Sequence, residues 1–210
     1  MGIRVVIAED HVMVRQGLRA FLERVAIEVV GEAGDGREAV RLVEQLRPDV
    51  AVLDIAMPLL NGIDAARAIL RGETGTKVVA VTMHTERHYL VEAVRAGVTG
   101  YVLKSKAAED LVQAIQEVIR GGIYLGSEFS RDALRDLLAR PDRPESPLTA
   151  REREVLQLVA EGNSTRRIAT QLTISVKTAE AHRAHIMSKL NIHQTAGLVR
   201  FAIREGIIRP

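Results

Sequence analysis

The chain has 210 residues, 47% hydrophobic and 3% aromatic, with 29 Lys/Arg against 27 Asp/Glu for a net charge of +2. That length allows one large or two small domains with aliphatic cores, and so few rings argue against base stacking as a mode of action. The absence of Cys excludes thiolate catalysis, disulfides and cysteine zinc sites. No apolar run approaches the roughly 20 residues that span a bilayer. Met1-Gly2-Ile3-Arg4 leads straight into a strand-like run with no signal peptide, so a soluble, cytoplasmic protein without a membrane partner is expected.

Ile3 to Ala8 reads as a first strand, ended by Glu9-Asp10-His11. Val12 to Ala26 has helical spacing, with Val14, Leu18, Phe21, Leu22 and Val25 on one face. Ile27 to Ala33 is a second strand and Arg37 to Leu46 a second helix. Val50 to Leu53 is a strand buried on both faces, closed by Asp54 and turned by Met57-Pro58. A helix starts at Asn61-Gly62, then come a strand over Val78 to Thr82 and a helix over Arg87 to Ala96. Tyr101 to Leu103 is a short fifth strand ending at Lys104, and Ala107 to Arg120 is the fifth helix. Strict alternation predicts an α/β fold: a five-stranded, doubly wound parallel sheet of flavodoxin-like type, with helices on both faces.

Right-handed crossovers put every strand's C-terminal end on one edge. Glu9, Asp10, Asp54, Thr82 and Lys104 therefore converge on one rim. Three carboxylates repel unless a cation sits between them, and an all-oxygen set suits Mg2+. A carboxylate so neutralised can attack a phosphoryl group, and the Lys104 ammonium and Thr82 hydroxyl can hold the transferred oxygens. Taken singly, each has a plainer reading: a polar strand end for Asp54, a solvated lysine for Lys104, a β-branched strand former for Thr82. Their joint placement favours a site.

These residues carry a resemblance. Glu9-Asp10-His11, Asp54-Ile-Ala-Met-Pro58, Asn61-Gly62, Thr82-Met-His-Thr85, Ala96-Gly97 and Gly100-Tyr-Val-Leu-Lys104 resemble the receiver domain of bacterial two-component response regulators over residues 1–122. The resemblance implies that Asp54 accepts phosphate from a histidine kinase. It implies Mg2+ held by Glu9 or Asp10, Asp54 and the Ala56 backbone, with Thr82 and Tyr101 as switch residues and Lys104 as the phosphate clamp. Ala56 offers no side-chain hydrogen bond to the phosphoryl group, which leaves the lifetime of the phosphorylated state open.

Residues 123–147 read as a linker. Ser127 to Arg140 has the spacing of an amphipathic helix, and Pro141, Pro144 and Pro147 favour extended backbone after it. From Leu148 onward the chain turns basic, with ten Lys/Arg against five Asp/Glu, after nineteen against twenty-two before it. A basic third behind an acidic body points to a polyanion partner.

Thr149 with Glu152 three residues on forms a capping box that starts a helix running to Gly162. Ser164 caps a short helix, Thr165 to Leu172; a turn at Thr173-Ile174-Ser175 leads to Val176 to Leu190, and a last helix spans Thr195 to Glu205. Two helices across a three-residue turn fit a helix-turn-helix; a small helical bundle used for dimerisation fits equally on architecture alone. Charge and motif favour the first. Thr149 to Gly162, Ile168-Ala169, Leu172 to Ser175, Thr178, His182, Ile186 and Lys189-Leu190 resemble the LuxR-type DNA-binding domain over residues 148–205. With the receiver this resembles the NarL/FixJ type of response regulator, a small all-α domain of four helices behind an α/β one. The resemblance implies double-stranded DNA and a histidine kinase as partners, RNA polymerase as a further candidate, and a homodimer formed on phosphorylation.

On a helical wheel Val176, Ala179, Ile186 and Leu190 face the core, while Lys177, Ala181, Ala184 and Ser188 face outward, flanked by Glu180 and His185. Lys177 suits guanine, Glu180 cytosine N4, and Ala181 or Ala184 a thymine methyl. Arg166, Arg167, Thr178, Arg183 and Lys189 are cast as phosphate contacts. Gly197, Leu198, Val199, Phe201, Ala202 and Ile203 leave an apolar surface on the last helix, the face on which the resemblance implies that two subunits pair. The expected activity is a phosphorylation-controlled transcription factor. Its competitors are a constitutive DNA-binding protein whose receiver only dimerises, and a magnesium phosphohydrolase using Asp54.

Overall fold

The computed structural model describes residues 2–83, 85–126 and 147–208. The helix expected over 127–140 and the prolines at 141 and 144 lie outside the described residues. The chain divides into two compact units, Met1–Arg140 and Pro141–Pro210.

The N-terminal unit alternates β1 (Arg4–Ala8), α1 (Val12–Arg24), β2 (Glu28–Ala33), α2 (Gly36–Leu46), β3 (Val50–Asp54), α3 (Gly62–Arg71), β4 (Lys77–Thr82), α4 (Arg87–Arg95), β5 (Gly100–Leu103), α5 (Ala107–Ile119) and β6 (Tyr124–Leu125). The strands are parallel in the order β2-β1-β3-β4-β5-β6. The five expected strands are all present. The sixth, a two-residue strand beside β5, carries the sheet past residue 122 into the stretch read as linker.

Period-two alternation builds a core on each face of the sheet. Val5, Ile7, Val50, Val52, Val79, Val81 and Val102 pack with Leu22 of α1 and Leu111, Ala114, Ile115 and Val118 of α5. Val6, Ala8, Ala51, Leu53, Ala80, Tyr101 and Leu103 pack with residues of α2, α3 and α4. β3 is buried at all five positions, which is why its sequence reads as a continuous apolar run. The helical face expected on α1 is narrower than its spacing suggested. Leu22 is fully buried, but Val14 in the first turn and Val25 at the C-cap are 39% and 43% exposed.

The C-terminal unit holds α6 (Ala150–Ala160), α7 (Thr165–Leu172), α8 (Val176–Leu190) and α9 (Thr195–Arg204). Thr149 and Glu152 close the expected capping box, and Ser164 and Ser175 cap α7 and α8. Thr173 closes α7 with φ 54, so the turn between α7 and α8 is reversed by a left-handed residue. Val155, Leu156, Leu158, Ile168, Ala179, Ile186, Leu198 and Ala202 form the core. Two expectations are corrected here. Val176 is 40% exposed, because it opens α8 before the helix reaches the core. Leu198 and Ala202 of α9 are fully buried, since α9 packs on α6, so these two leave the expected apolar surface, while Gly197, Val199, Phe201 and Ile203 stay partly exposed.

Candidate functional site

The strand order reverses between β1 and β3, with β2 on one side of β1 and β3 on the other, and open α/β sheets place their sites at such a switch point. Glu9 follows β1 and Asp54 ends β3. Both continue the register that faces α1 and α5, as does Lys104 after Val102. The side chains meet: Lys104 Nζ lies 2.6 Å from Glu9 Oε2 and 2.9 Å from Asp54 Oδ2. Glu9 and Asp54 are 1% and 2% exposed. Two carboxylates so buried cost several kcal/mol each unless a cation offsets them. Here the ammonium does so.

A second group shares Glu9. His11 donates its backbone N–H to Glu9 Oε1 at 3.1 Å, and its Nδ1 lies 3.2 Å from that oxygen and 2.9 Å from Asp10 Oδ1. The potential ligand atoms of Glu9, Asp10 and His11 all fall within 4.8 Å of one another. The sequence did not mark His11 as part of this group, because its contact with Glu9 depends on how the side chain turns. Two carboxylates at this rim, Glu9 and Asp10, supply the hard oxygens that a magnesium ion takes. The residues thus fit such an ion.

The loop after Asp54 is shaped by backbone constraints. Leu60 donates its N–H to Pro58 O at 2.7 Å across Leu59, whose φ is 64; a left-handed residue inside an i to i+2 hydrogen bond is a strained turn. Gly62 then donates to Ile55 O at 2.8 Å. A Cβ on Gly62 would lie 2.0 Å from Asp54 O, so only glycine lets α3 begin this close behind the strand end. Asn61 caps α3 by accepting from the Asp64 N–H at 2.9 Å. The Ala56 side chain is buried and offers no polar atom.

Thr82 ends β4 opposite Leu103 and is fully buried. Tyr101 is also fully buried, in the core on the α3–α4 side. Its phenol is pushed well above the usual tyrosine range, first by burial and then by the charges of Glu86 and Tyr89. Tyr101 thus sits inside the sheet's core, whereas Thr82 stands at the C-terminal end of β4, on the same rim as Asp54 and Lys104.

In the C-terminal unit the outward side of α8 is as expected. Lys177, Thr178, Glu180, Ala181, Ala184, His185 and Ser188 are exposed, as are Arg166 and Arg167 on α7. Two residues cast as phosphate contacts have partners within the unit. Arg183 donates to Thr165 Oγ1 at 3.1 Å, and Lys189 Nζ lies 2.7 Å from Glu152 Oε2. Arg151, which sequence reasoning did not single out, donates to Leu172 O at 2.8 Å and so ties α6 to the end of α7.

Comparison with known proteins gives two family matches: the response regulator receiver domain over residues 5–116, and the luxR family of bacterial regulatory proteins over residues 146–202. The transcriptional regulatory protein MctR of Rhizobium johnstonii is 40% identical, covering 98% of this chain and 95% of its own. The response regulator UvrY of Escherichia coli is 35% identical over the same shares. Among solved structures, the two-component response regulator RcsB in complex with DNA aligns at a TM-score of 0.58 and 29% identity, covering 96% of this chain and 98% of that one.

Proposed function

The chain belongs to the DNA-binding response regulators of two-component systems, with a receiver domain followed by a LuxR-type helix-turn-helix, and from that premise we propose that Asp54 is its phosphoacceptor. The observation that carries this is the buried Glu9–Lys104–Asp54 arrangement at the switch point of the sheet. An Asp54 oxygen attacks the phosphorus of a kinase phosphohistidine. The P–O bond forms, the P–N bond breaks, and the histidine leaves as imidazole. Lys104 exchanges one carboxylate for the phosphoryl oxygens, which carry more charge. A magnesium ion held by Glu9, Asp10, Asp54 and the Ala56 carbonyl would supply charge neutralisation of the transferring group. Thr82 then donates its hydroxyl to a phosphoryl oxygen, and the shift of β4 is relayed to Tyr101, which biases the receiver surface between two states.

The output is duplex DNA. Lys177, Glu180, Ala181, Ala184 and His185 read base edges from the major groove, and Arg166, Arg167, Thr178 and Arg183 hold phosphates. Two copies of the chain would read two half-sites, the usual arrangement for this motif. The receiver is assigned to residues 1–122 extended by β6, and the DNA-binding domain to 148–210, in a cytoplasmic protein; among the described residues no helix is long and apolar enough to cross a membrane. The test of the site is labelling with acetyl phosphate and magnesium. The parent chain gains one phosphoryl group by intact mass, and Asp54→Asn gains none. Full labelling of Asp54→Asn would overturn the assignment.

A further inference from the structure

Lys189 stands in the last turn of α8, where a cation beside a DNA-reading helix is naturally taken for a phosphate contact. Its ammonium is committed elsewhere. Glu152 is 4% exposed, and its Oε2 accepts from Lys189 Nζ at 2.7 Å, from the Thr149 N–H at 2.8 Å and from Thr149 Oγ1 at 3.0 Å. One carboxylate oxygen thus closes the first turn of α6 and holds the last turn of α8. Burial opposes the charge on Glu152, yet the hydrogen bonds from Lys189 and Thr149 together outweigh it and hold the carboxyl below its usual range. Along α8, Lys189 follows His182 and Ile186 at helical spacing, and these two are half-buried and fully buried. Its side chain is 39% exposed, but it lies on the seam of the helix, to the side of the outward line of Lys177, Ala181, Ala184 and Ser188. A nearly buried carboxylate deprived of its cation loses far more than an exposed charge pair gains.

We infer that Lys189 is a positioning residue: with Glu152 it fixes α8 on α6, sets the angle at which the base-reading face is presented, and does not itself hold a DNA phosphate. The inference rests on the DNA-binding reading above. A helix held in its competent orientation binds with its intrinsic affinity, whereas one that samples other tilts binds more weakly by the fraction competent. A phosphate contact behaves differently, because each one contributes to the salt dependence of binding through a released counterion.

The test uses the full chain and a duplex that the parent selects from a random-sequence library, with affinity measured by anisotropy across a range of KCl concentrations. The variants are Lys189→Met, Glu152→Gln and the double variant, each checked for folding by circular dichroism. Gln at 152 keeps the capping box, since either Glu or Gln serves there. Each single change is expected to weaken binding roughly five- to tenfold. The double variant should be no weaker than the weaker single one, with the slope of log affinity against log salt unchanged throughout. A slope flattened by about 0.9 in Lys189→Met is the mark of a lost phosphate contact and would overturn the inference, as would parent-like affinity in either single variant. Should Lys189→Met not fold, Glu152→Gln decides alone. It releases Lys189 toward DNA, so stronger binding contradicts a positioning role and weaker binding supports it. Failure of the parent to select any duplex would overturn the DNA reading itself, and the inference with it.

Discussion

The two ends of this protein solve opposite problems with the same side-chain chemistry. At the rim of the sheet the charges are buried and neutralise one another: Glu9 and Asp54 share the Lys104 ammonium with almost no exposure. On α8 the groups assigned to base reading, Lys177, Glu180, Ala181, Ala184 and His185, stand in solvent. A reaction centre needs a dry, pre-set field, because electrostatic stabilisation is strongest where water is excluded. A reading head must stay exposed and be stiffened from behind, which the Glu152–Lys189 pair and the Arg151 bond to Leu172 O accomplish. Burial therefore marks function in the first unit and support for function in the second.

Lys104→Met gives the largest break in this contrast. It leaves two buried carboxylates facing each other without a cation, which costs about 3–5 kcal/mol. Urea unfolding of the full chain followed through tyrosine fluorescence reports it cleanly, since Tyr89, Tyr101 and Tyr124 all lie in the N-terminal unit. Added magnesium should recover part of that loss, whereas Lys177→Met on the exposed helix should shift neither unit measurably.

Gly62→Ala comes next. The added methyl meets the Asp54 carbonyl carbon and oxygen, both backbone atoms that cannot swing aside. A cost of about 2–3 kcal/mol to the N-terminal unit is expected, read as a lower urea midpoint in the tyrosine signal. An unchanged midpoint would show that α3 does not need to begin so close to the strand end.

The smallest effects separate the units by pH. Glu152 is held below its usual value of 4.5, so the folded unit binds that proton more weakly than the unfolded chain does. Its contribution is complete above about pH 4.5 and is lost as pH falls through the folded value. Acid should thus weaken the C-terminal unit of the parent more than that of Glu152→Gln in a helicity melt. The tyrosines run the other way. All three phenols are raised by burial: Tyr89, Tyr101, and Tyr124 to about 12 with help from a hydrogen bond to Asp110. Their contribution is complete below the unfolded value of 10.0 and fades as pH climbs through the folded ones. Tyrosinate absorbance should therefore appear late, together with unfolding of the N-terminal unit. Ordinary titration near pH 10.0 in the folded protein would contradict the burial of these rings.

How much of this was legible in the sequence follows from the same contrast. The βα alternation and the strand-end residues could be read because a buried parallel sheet writes its strands as apolar runs and its site at their ends. The capping box of Thr149 and Glu152 could be read because its partners are three residues apart. What the sequence hid is long-range or marginal. Glu152 and Lys189 are 37 residues apart, and nothing local marks Lys189 as spoken for. β6 has two residues, too few for a periodic signal. The apolar face of α9 looked free because its spacing cannot say whether α6 or a second subunit covers Leu198 and Ala202. His11 was missed although it adjoins Asp10, since its role depends on a side chain turning back toward Glu9.

On the proposed function, charge added at Asp54 governs what α8 does with DNA. The direct test measures the affinity of the parent and of Asp54→Asn for one selected duplex, with and without acetyl phosphate and magnesium. The phosphodonor should change the parent's affinity severalfold and leave Asp54→Asn where it was. Equal affinity of the parent under both conditions, at full phosphorylation by mass, would contradict it.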